Sequence, residues 1–288
     1  MNDEETSLLF EDVNSIKLSS STSTSIALPQ QQTTSTTRQS FFVWSNVQKL
    51  EFCVCLGMAF VGWFVPKYAL APTQAQLNSR DLPYTTLQSG EVILDVNYSH
   101  AVTDPPTVGS SFLILTAVWI PFILVILVEF IRRKNPQPIL SALALTIGLS
   151  EAVTNTLKCW VRRPRPNFYH LCGFSPELKY CTNDWSRTLE AQLSFPSGHT
   201  SLSFCSMTIL VLWLWHMNCG GKVFKFMSAV LPWGWATYVG VSRIVDYWHH
   251  PSDVIAGCIL GSTCATLCFS VIYSTNLVTS QSSSGKEF

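Results

Sequence analysis

The stretch FLILTAVWIPFILVILVEF, residues 112–130, carries no charged side chain before Glu129. About twenty consecutive apolar residues form a helix long enough to cross about 30 Å of hydrocarbon, so this stretch predicts a membrane-spanning helix. The basic run at residues 132–134 and the helix breaker Pro136 predict where the helix ends. A helical membrane protein is the fold that this stretch indicates.

The composition of the whole chain agrees with that interpretation. Apolar residues make up 47% of the 288 residues and charged residues only 12%, whereas a soluble domain has about 25% charged residues. The 18 basic and 18 acidic side chains balance, which argues against nucleic-acid binding because that function favours an excess of basic residues. We therefore expect the chain to lie in a lipid bilayer and to bind no nucleic acid.

Six apolar runs predict six membrane-spanning helices in one bundle, an all-α fold. They lie at about residues 47–66, 111–131, 138–158, 200–217, 224–242 and 252–274.

The predicted domain organisation has three segments. Residues 1–40 are rich in Ser, Thr and Gln, a composition that predicts a disordered cytosolic tail. Residues 41–275 are predicted to form the six-helix membrane domain, and residues 276–288 a second, short disordered cytosolic tail. The stretch at residues 4–9, EETSLL, resembles an acidic dileucine sorting signal, although so short a pattern also arises by chance, and the sequence leaves the organelle open.

The orientation of the bundle follows from the distribution of positive charge, because cytosolic loops carry an excess of Lys and Arg. With both termini in the cytosol the basic residues divide equally, but five of those outside belong to the polar clusters described below. Setting these five aside favours cytosolic termini. The acceptor pattern Asn97-Tyr98-Ser99 then lies in a lumenal or extracellular loop, where Asn97 is a candidate glycosylation site.

The cysteines give little sign of a metal site or of an extensive disulfide framework. Most lie in or beside apolar runs, where they are small hydrophobic residues. Cys172 and Cys181 share a polar loop and can pair if that loop faces an oxidising compartment, which the sequence leaves open. No set of Cys and His has the spacing of a zinc site, so we expect no structural metal.

Three polar clusters lie at the ends of predicted spans three to six, and the six-span topology places all of them on the non-cytosolic side. Residues 158–166 read KCWVRRPRP, residues 196–201 read PSGHTS, and residues 242–253 read SRIVDYWHHPSD. Taken singly, each can be purely structural, such as a basic run pairing with lipid headgroups or an aspartate capping a helix. Their convergence on one side favours a functional site.

The residue types in these clusters suit the binding and transfer of phosphate. A helix that begins at Pro-Ser-Gly presents free N–H groups and the positive end of its dipole to an anion, and Gly198 lets a phosphate approach the backbone. His249 and Asp253 are four residues apart, so the carboxylate can accept a hydrogen bond from one ring nitrogen and leave the other as a nucleophile. Three cations can neutralise a phosphate without a metal: Lys158, Arg165 and Arg243.

The three clusters resemble the motifs of the type 2 phosphatidic acid phosphatase superfamily, in its integral-membrane lipid phosphate phosphatase branch. The matching residues are K-x6-RP at Lys158, Arg165 and Pro166, PSGH at Pro196, Ser197, Gly198 and His199, and SR-x5-H-x3-D at Ser242, Arg243, His249 and Asp253. All three motifs are complete and in order, and the resemblance covers about residues 41–275. The sequences TNTLK at 154–158 and RPRP at 163–166 also resemble the subgroup that acts on phosphatidate and diacylglycerol pyrophosphate.

This resemblance implies a phosphatase that uses neither a divalent metal nor another cofactor. It implies that His249 attacks phosphorus to form a phosphohistidine, that Asp253 orients His249, and that His199 protonates the departing lipid alkoxide and then activates water. It further implies a phosphate-binding set: Lys158, Arg165, Ser197, Gly198 and Arg243. The sequence supports no catalytic role for four other polar residues: Glu151, Asn155, Asp246 and His250.

The motifs recognise a phosphate and not a lipid tail, so the sequence leaves the substrate open. The candidates are phosphatidate, with diacylglycerol pyrophosphate and lysophosphatidate, or an isoprenoid or sphingoid phosphate. Two other classes also stay open, a catalytically silent lipid-binding membrane protein and a headgroup transferase. The retained His199, His249 and Asp253 argue against the silent protein, and the full set of Lys and Arg argues against the transferase. The oligomeric state is not indicated.

Overall fold

A computed structural model describes residues 45–78, 82–218 and 220–284 of this chain. The predicted tail at residues 1–40, with its dileucine-like stretch, lies outside the described residues, as do residues 285–288. The described part is mostly helical. Its α-helices are α1 (Asn46–Ala69), α2 (Gln74–Asn78), α3 (Ser110–Ile114), α4 (Ile120–Arg132), α5 (Gln137–Val161), α6 (Phe168–Cys172), α7 (Trp185–Ala191), α8 (Gly198–His216), α9 (Lys222–Val245) and α10 (Pro251–Ser284).

Short irregular elements complete the described part of the chain. A π-helical turn, Leu115–Trp119, joins α3 to α4, and a 3-10 turn spans Val96–Tyr98. Two antiparallel ribbons lie in the loops, β1 (Tyr84–Thr86) with β2 (Val92–Leu94) and β3 (Phe174–Ser175) with β4 (Tyr180–Cys181). These ribbons are absent from the sequence prediction, because two or three residues are too few to show a periodic pattern.

Five helices in the described part of the chain are long and apolar enough to cross a membrane. They are Asn46–Pro66, Ser110–Arg132, Gln137–Val161, Gly198–His216 and Pro251–Tyr273. The sixth predicted span, 224–242, is helical within α9, but α9 is not among the five. Two lysines in its first turn, together with its Trp, Tyr, Ser and Thr residues, lower its mean hydropathy.

The last helix extends further than the sequence analysis predicts. α10 continues to Ser284, so residues 276–284 are helical where disorder is expected. No proline interrupts the Ser, Thr and Gln residues that follow the span, so nothing in the sequence stops the helix from continuing.

α5 and α8 form the centre of the bundle. About two thirds of each of these spans is buried, against 17% of the first span and 22% of the second. The outer helices therefore present many large apolar side chains outward, such as Phe60 and Leu127. Such a surface is stable against lipid and costly in water.

Glycines allow the central helices to approach closely. A β-carbon at Gly257 of α10 would lie 2.7 Å from Ser197 O, and one at Gly261 would collide with Ser201 O. The small-xxx-small spacing in the sixth predicted span thus fits tightly against the backbone of α8. This contact fixes the start of α10 against the start of α8.

Candidate active site

Four helix ends meet at one end of the bundle. α5 and α9 end there, α8 and α10 begin there, and the loop at residues 162–167 contacts both α7 and the start of α10. The three sequence motifs occupy these ends. The antiparallel course of the helices therefore brings residues from distant parts of the chain into one site.

His249 is buried at the centre of the site, with both ring nitrogens engaged. Its Nδ1 lies 2.7 Å from Ser194 O, and its Nε2 lies 3.1 Å from Nη1 of Arg165. A carbonyl oxygen can only accept and a guanidinium can only donate, so Nδ1 carries the proton and Nε2 keeps its lone pair. Burial lowers the pKa of His249 well below its ordinary value, and the neighbouring Arg165 lowers it further. A lowered pKa favours the neutral ring, which is the form that a nucleophilic role requires.

Asp253 forms hydrogen bonds with residues around His249 and lies farther from the His249 ring itself. Its carboxylate accepts from Ser194 Oγ at 2.6 Å, from the backbone N–H of His250 at 3.0 Å and from Nη1 of Arg163 at 2.6 Å. The distance from Asp253 Oδ2 to His249 Nδ1 is 3.8 Å, too long for a hydrogen bond. The motif spacing predicts a direct contact, but the nearer acceptor for Nδ1 is Ser194 O, and three other donors surround the carboxylate.

Arg165 connects the loop after α5 to the third motif. Its Nε donates to Glu190 O at 2.8 Å, its Nη1 to Trp248 O at 2.7 Å, and its Nη2 pairs with the Glu190 carboxylate. The guanidinium also lies 5.2 Å from the centre of the Trp248 ring. These contacts fix its position beside Nε2 of His249, where it can stabilise charge on a phosphate.

The start of α8 forms the facing wall of the site. A β-carbon at Gly198 would lie 3.2 Å from Nζ of Lys158, so the ammonium group lies close to the bare backbone of Gly198. His199 follows, and its buried Nε2 has no hydrogen-bond partner among the described residues. Ser197 is buried at the helix start, and its Oγ accepts from Thr200 Oγ1 at 3.0 Å. A cation, a helix start and a free imidazole nitrogen thus lie side by side.

Arg243 is held by an acidic residue that the sequence analysis leaves without a role. Its Nη2 lies 2.8 Å from Asp246 Oδ2, and both side chains are buried. Asp246 also accepts from the backbone N–H of Thr107 at 2.8 Å and from Thr107 Oγ1 at 2.7 Å. Asp246 thereby links the loop before α3 to Arg243.

Two cavities open at this end of the bundle. The smaller has a volume of about 340 Å³ and is lined by five of the predicted site residues: Lys158, Arg165, His199, Arg243 and His249. The larger, of about 450 Å³, extends from His199 and Gly198 toward α1 and α3. We call them the phosphate cavity and the side cavity.

The structure therefore places the predicted residues together, with Asp253 and Ser197 buried behind the cavity wall. Sequence reasoning missed Arg163 and Ser194, which hold Asp253 and His249. Arg163 lies inside the first motif, so its position in the sequence marked it as a candidate. Ser194 contacts His249 through its backbone carbonyl, which every residue type has, and Asp253 through its hydroxyl. No sequence pattern marked either contact.

The remaining predicted residues lie outside both cavities. Cys172, the last residue of α6, and Cys181 in β4 are joined as a disulfide, with their Cα atoms 5.2 Å apart. Asn97 is exposed in the 3-10 turn, and its Nδ2 donates to Asp95 at 2.9 Å. Across residues 45–78, 82–218 and 220–284, no group of three or more His, Cys, Asp or Glu side chains is arranged to hold a metal ion.

Comparison with known proteins gives one family match and several relatives of similar sequence. Residues 139–276, from α5 into α10, match the family described as the PAP2 superfamily. Lipid phosphate phosphatase 2 of Arabidopsis thaliana is 36% identical over 169 residues, which are 54% of this chain and 58% of that protein. Diacylglycerol pyrophosphate phosphatase 1 of Saccharomyces cerevisiae is 28% identical over 193 residues, 59% of this chain and 65% of that protein.

A human relative, phospholipid phosphatase 2, is 32% identical over 137 residues, 42% of this chain and 46% of that protein. The chain spans about half the length of the curated relatives it matches. No solved structure gives a significant match. The matched segment carries all three motifs and seven of the nine residues that line the phosphate cavity. Over this segment the chain is homologous to the PAP2 superfamily.

Proposed function

We propose that this protein is a lipid phosphate phosphatase that hydrolyses phosphatidate-like phosphomonoesters, without a metal, through a phosphohistidine at His249. The observation that supports the proposal is that two imidazoles line one cavity and that the Nε2 atom of each can react. His249 keeps the lone pair of Nε2 because Nδ1 is engaged by Ser194 O, and His199 has a buried Nε2 without a partner in the described chain. One ring can attack while the other transfers a proton.

In the first step, Nε2 of His249 attacks phosphorus, a P–N bond forms, and the bond between phosphorus and the lipid oxygen breaks. His199 donates its proton to the departing alkoxide. The charge on the phosphoryl oxygens is stabilised by the cations that line the cavity: Lys158, Arg165 and Arg243.

In the second step, His199 is neutral and takes a proton from water. The hydroxide attacks phosphorus, the P–N bond breaks, and inorganic phosphate leaves. Nε2 of His249 regains its lone pair, while the Nδ1 proton stays hydrogen-bonded to Ser194 O throughout.

We further infer that α9 is a sixth membrane span. Its 24 residues are about 36 Å long, and it runs along the whole of α8: Trp215 Nε1, at the end of α8, donates to Lys225 O at 3.1 Å. At the other end, a β-carbon at Gly240 would lie 3.4 Å from Thr200. Six spans put both termini on one side of the membrane, and the distribution of basic residues favours the cytosol for that side. The phosphate cavity then lies on the lumenal or extracellular side, at the depth of lipid headgroups.

The names of the relatives support a lipid substrate, since they describe phosphatases of lipid phosphate, diacylglycerol pyrophosphate and phospholipid. The apolar outer surface would let a lipid present its phosphate to the cavity while its acyl chains stay in the bilayer.

The test is phosphate release from phosphatidate in mixed micelles with excess chelator. Wild type should release phosphate, and His249→Ala should show only background. His199→Ala should lose about 10²–10⁴-fold in rate, the range of a general acid and base. His216→Ala removes a histidine at the opposite end of α8 and should retain the wild-type rate.

A second measurement isolates the covalent step. An aryl phosphate has a good leaving group that needs little protonation, so His199→Ala should accumulate an acid-labile, base-stable phosphoenzyme that His249→Ala cannot form. Equal release by wild type and His249→Ala, or no release by folded wild type, would overturn the proposal and favour a silent lipid-binding protein.

A further inference from the structure

The side cavity adjoins the phosphate cavity at His199. The two share Ser110, Lys158, Glu190 and His199 as wall residues, whereas His249 lines only the phosphate cavity. In an in-line displacement the leaving group departs on the side opposite the nucleophile. With His249 as nucleophile and His199 as the acid, the leaving alcohol therefore lies toward the side cavity.

The wall of the side cavity fits the backbone and first carbons of a lipid. Part of it is apolar, formed by Trp63, Leu113, Ile114 and Leu202. α1 packs along α5 but has no extensive contact with α3, so the cavity lies beside a gap between two helices that expose apolar side chains. A lipid tail can extend from the cavity into the bilayer through that gap.

A pair of polar residues interrupts this apolar wall. Asn155 and Glu151 line the side cavity, three and seven residues before Lys158 on α5, or about 5 and 10 Å along the helix axis. Asn155 Nδ2 donates to Glu151 Oε2 at 3.2 Å, which leaves the amide oxygen of Asn155 as an acceptor. Glu151 lines the same cavity, and a carboxylate brings only acceptor oxygens. The pair therefore presents an oxygen-rich patch beside the apolar part of the wall.

A buried carboxylate within a membrane span is costly and marks a functional position. Glu151 is only 7% exposed. The phosphatase chemistry proposed above has no use for it, because every proton transfer in that chemistry involves His199. Its place on the leaving-group side points to recognition of the lipid.

We propose that the side cavity binds the backbone of the leaving lipid alcohol and that Glu151 and Asn155 select lipids with a hydrogen-bond donor, a hydroxyl or an ammonium group, beside the phosphate. This proposal rests on the phosphatase function proposed above and names its substrate class. The donor on such a lipid lies a few bonds from phosphorus, so it meets Asn155 first, with Glu151 behind.

Diacyl lipids lack this donor. The backbone of phosphatidate carries two esters, which only accept hydrogen bonds, and their oxygens would face the oxygens of Glu151 and Asn155. Lysophosphatidate has a free hydroxyl, and sphingosine phosphate has a hydroxyl and an ammonium group. The latter two should therefore be the better substrates.

The test compares kcat/KM for matched substrates: lysophosphatidate, its 2-O-methyl ether, sphingosine phosphate and phosphatidate. The ether replaces the hydroxyl hydrogen with a methyl group, which removes the donor and keeps the oxygen. Wild type should prefer lysophosphatidate over the ether by about tenfold, the effect of one charge-assisted hydrogen bond. This comparison needs no variant, so it does not depend on how a mutation affects folding.

Variants then assign the preference to the residue pair. Glu151→Gln keeps the shape but removes the charge, and should reduce the preference for lysophosphatidate to about twofold, with a larger loss for sphingosine phosphate because of its ammonium charge. Asn155→Leu should act in the same direction. Glu129→Gln is the matched control, because Glu129 is also a buried carboxylate but binds Trp213 Nε1 at the opposite end of the bundle.

The outcomes separate the two proposals. If wild type hydrolyses lysophosphatidate and its ether equally, or if Glu151→Gln retains the full preference, the donor-selective side cavity is wrong while the phosphatase stands. If wild type and His249→Ala release the same phosphate from every substrate, the phosphatase itself is wrong.

Discussion

The imidazole of His249 depends on its surroundings for its reactivity. Ser194 O holds the proton of Nδ1, and Arg165 lies beside Nε2. Burial and the adjacent cation both lower the pKa of His249, since each disfavours the charged ring. The proposed nucleophile is thus favoured in its unprotonated form.

This lowered pKa has a direct kinetic consequence. A histidine with a lowered pKa stays neutral as the pH falls through the ordinary value of about 6.5 and loses its lone pair only at a lower pH. We expect the rate of phosphoenzyme formation to follow the ionisation of the substrate between about pH 7.5 and 6. The rate should show no added loss from His249 in that range.

Single-turnover kinetics checks this expectation, with the substrate's own ionisation measured separately by phosphorus NMR. A loss centred at or above about pH 6.5 that the substrate does not explain would contradict it. Arg165→Gln is an informative comparison, because removing the cation should shift any His249-dependent loss to higher pH.

At this scale the sequence predicts the reacting side chains but not their supports. Motif spacing places His249 and Asp253 four residues apart, which suggests a direct hydrogen bond, yet the ring nitrogen is nearer to Ser194 O. A backbone carbonyl has no signature in the sequence. Arg163 could be noticed as one of four cations, but only the fold shows that it pairs with Asp253.

Helix α10 packs closely against α8 because glycines of α10 leave room for the α8 backbone. A β-carbon at Gly261 would collide with Ser201 O and lie 2.9 Å from Cys205 N, both backbone atoms that cannot move without shifting the helix. We expect Gly261→Ala to destabilise the protein by about 1–3 kcal/mol, the cost of overpacking. Thermal unfolding in detergent measures this effect.

Gly57→Ala provides the matched control on α1, because a β-carbon there meets nothing within 4 Å. It should be neutral or slightly stabilising, since alanine favours a helix over glycine by about 1 kcal/mol. Equal melting temperatures for the two variants would show that the α8–α10 contact is looser than described.

The long helices could be predicted because apolar runs of about twenty residues are typical of membrane spans and uncommon elsewhere. α9 is the informative exception. Its length and position are predicted, but its Trp, Tyr and Lys residues reduce its mean hydropathy, and only its packing along α8 shows why the helix is there. The short helices α6 and α7 and the two ribbons contain too few residues for a periodic signal.

For the whole molecule, the proposed six-span arrangement places both termini on one side, and the distribution of basic residues predicts that this side is the cytosol. Asn97 should carry a glycan if its loop faces the lumen, and Asn97→Gln should remove it. Ile16→Thr creates a second acceptor pattern, Asn14-Ser15-Thr, in the tail, and should add no glycan if that tail is cytosolic. Gel mobility before and after endoglycosidase treatment measures both. A glycan gained by Ile16→Thr would reverse the orientation.

The main-chain carbonyls of Ser194, Glu190 and Trp248 fix His249 and Arg165. Such contacts survive when a side chain is replaced, because every amino acid brings the same carbonyl. The scaffold of the site can therefore drift in sequence over evolutionary time while its shape persists. A search for distant homologues by residue identity would detect the reacting side chains of the site and overlook the backbone carbonyls that position them.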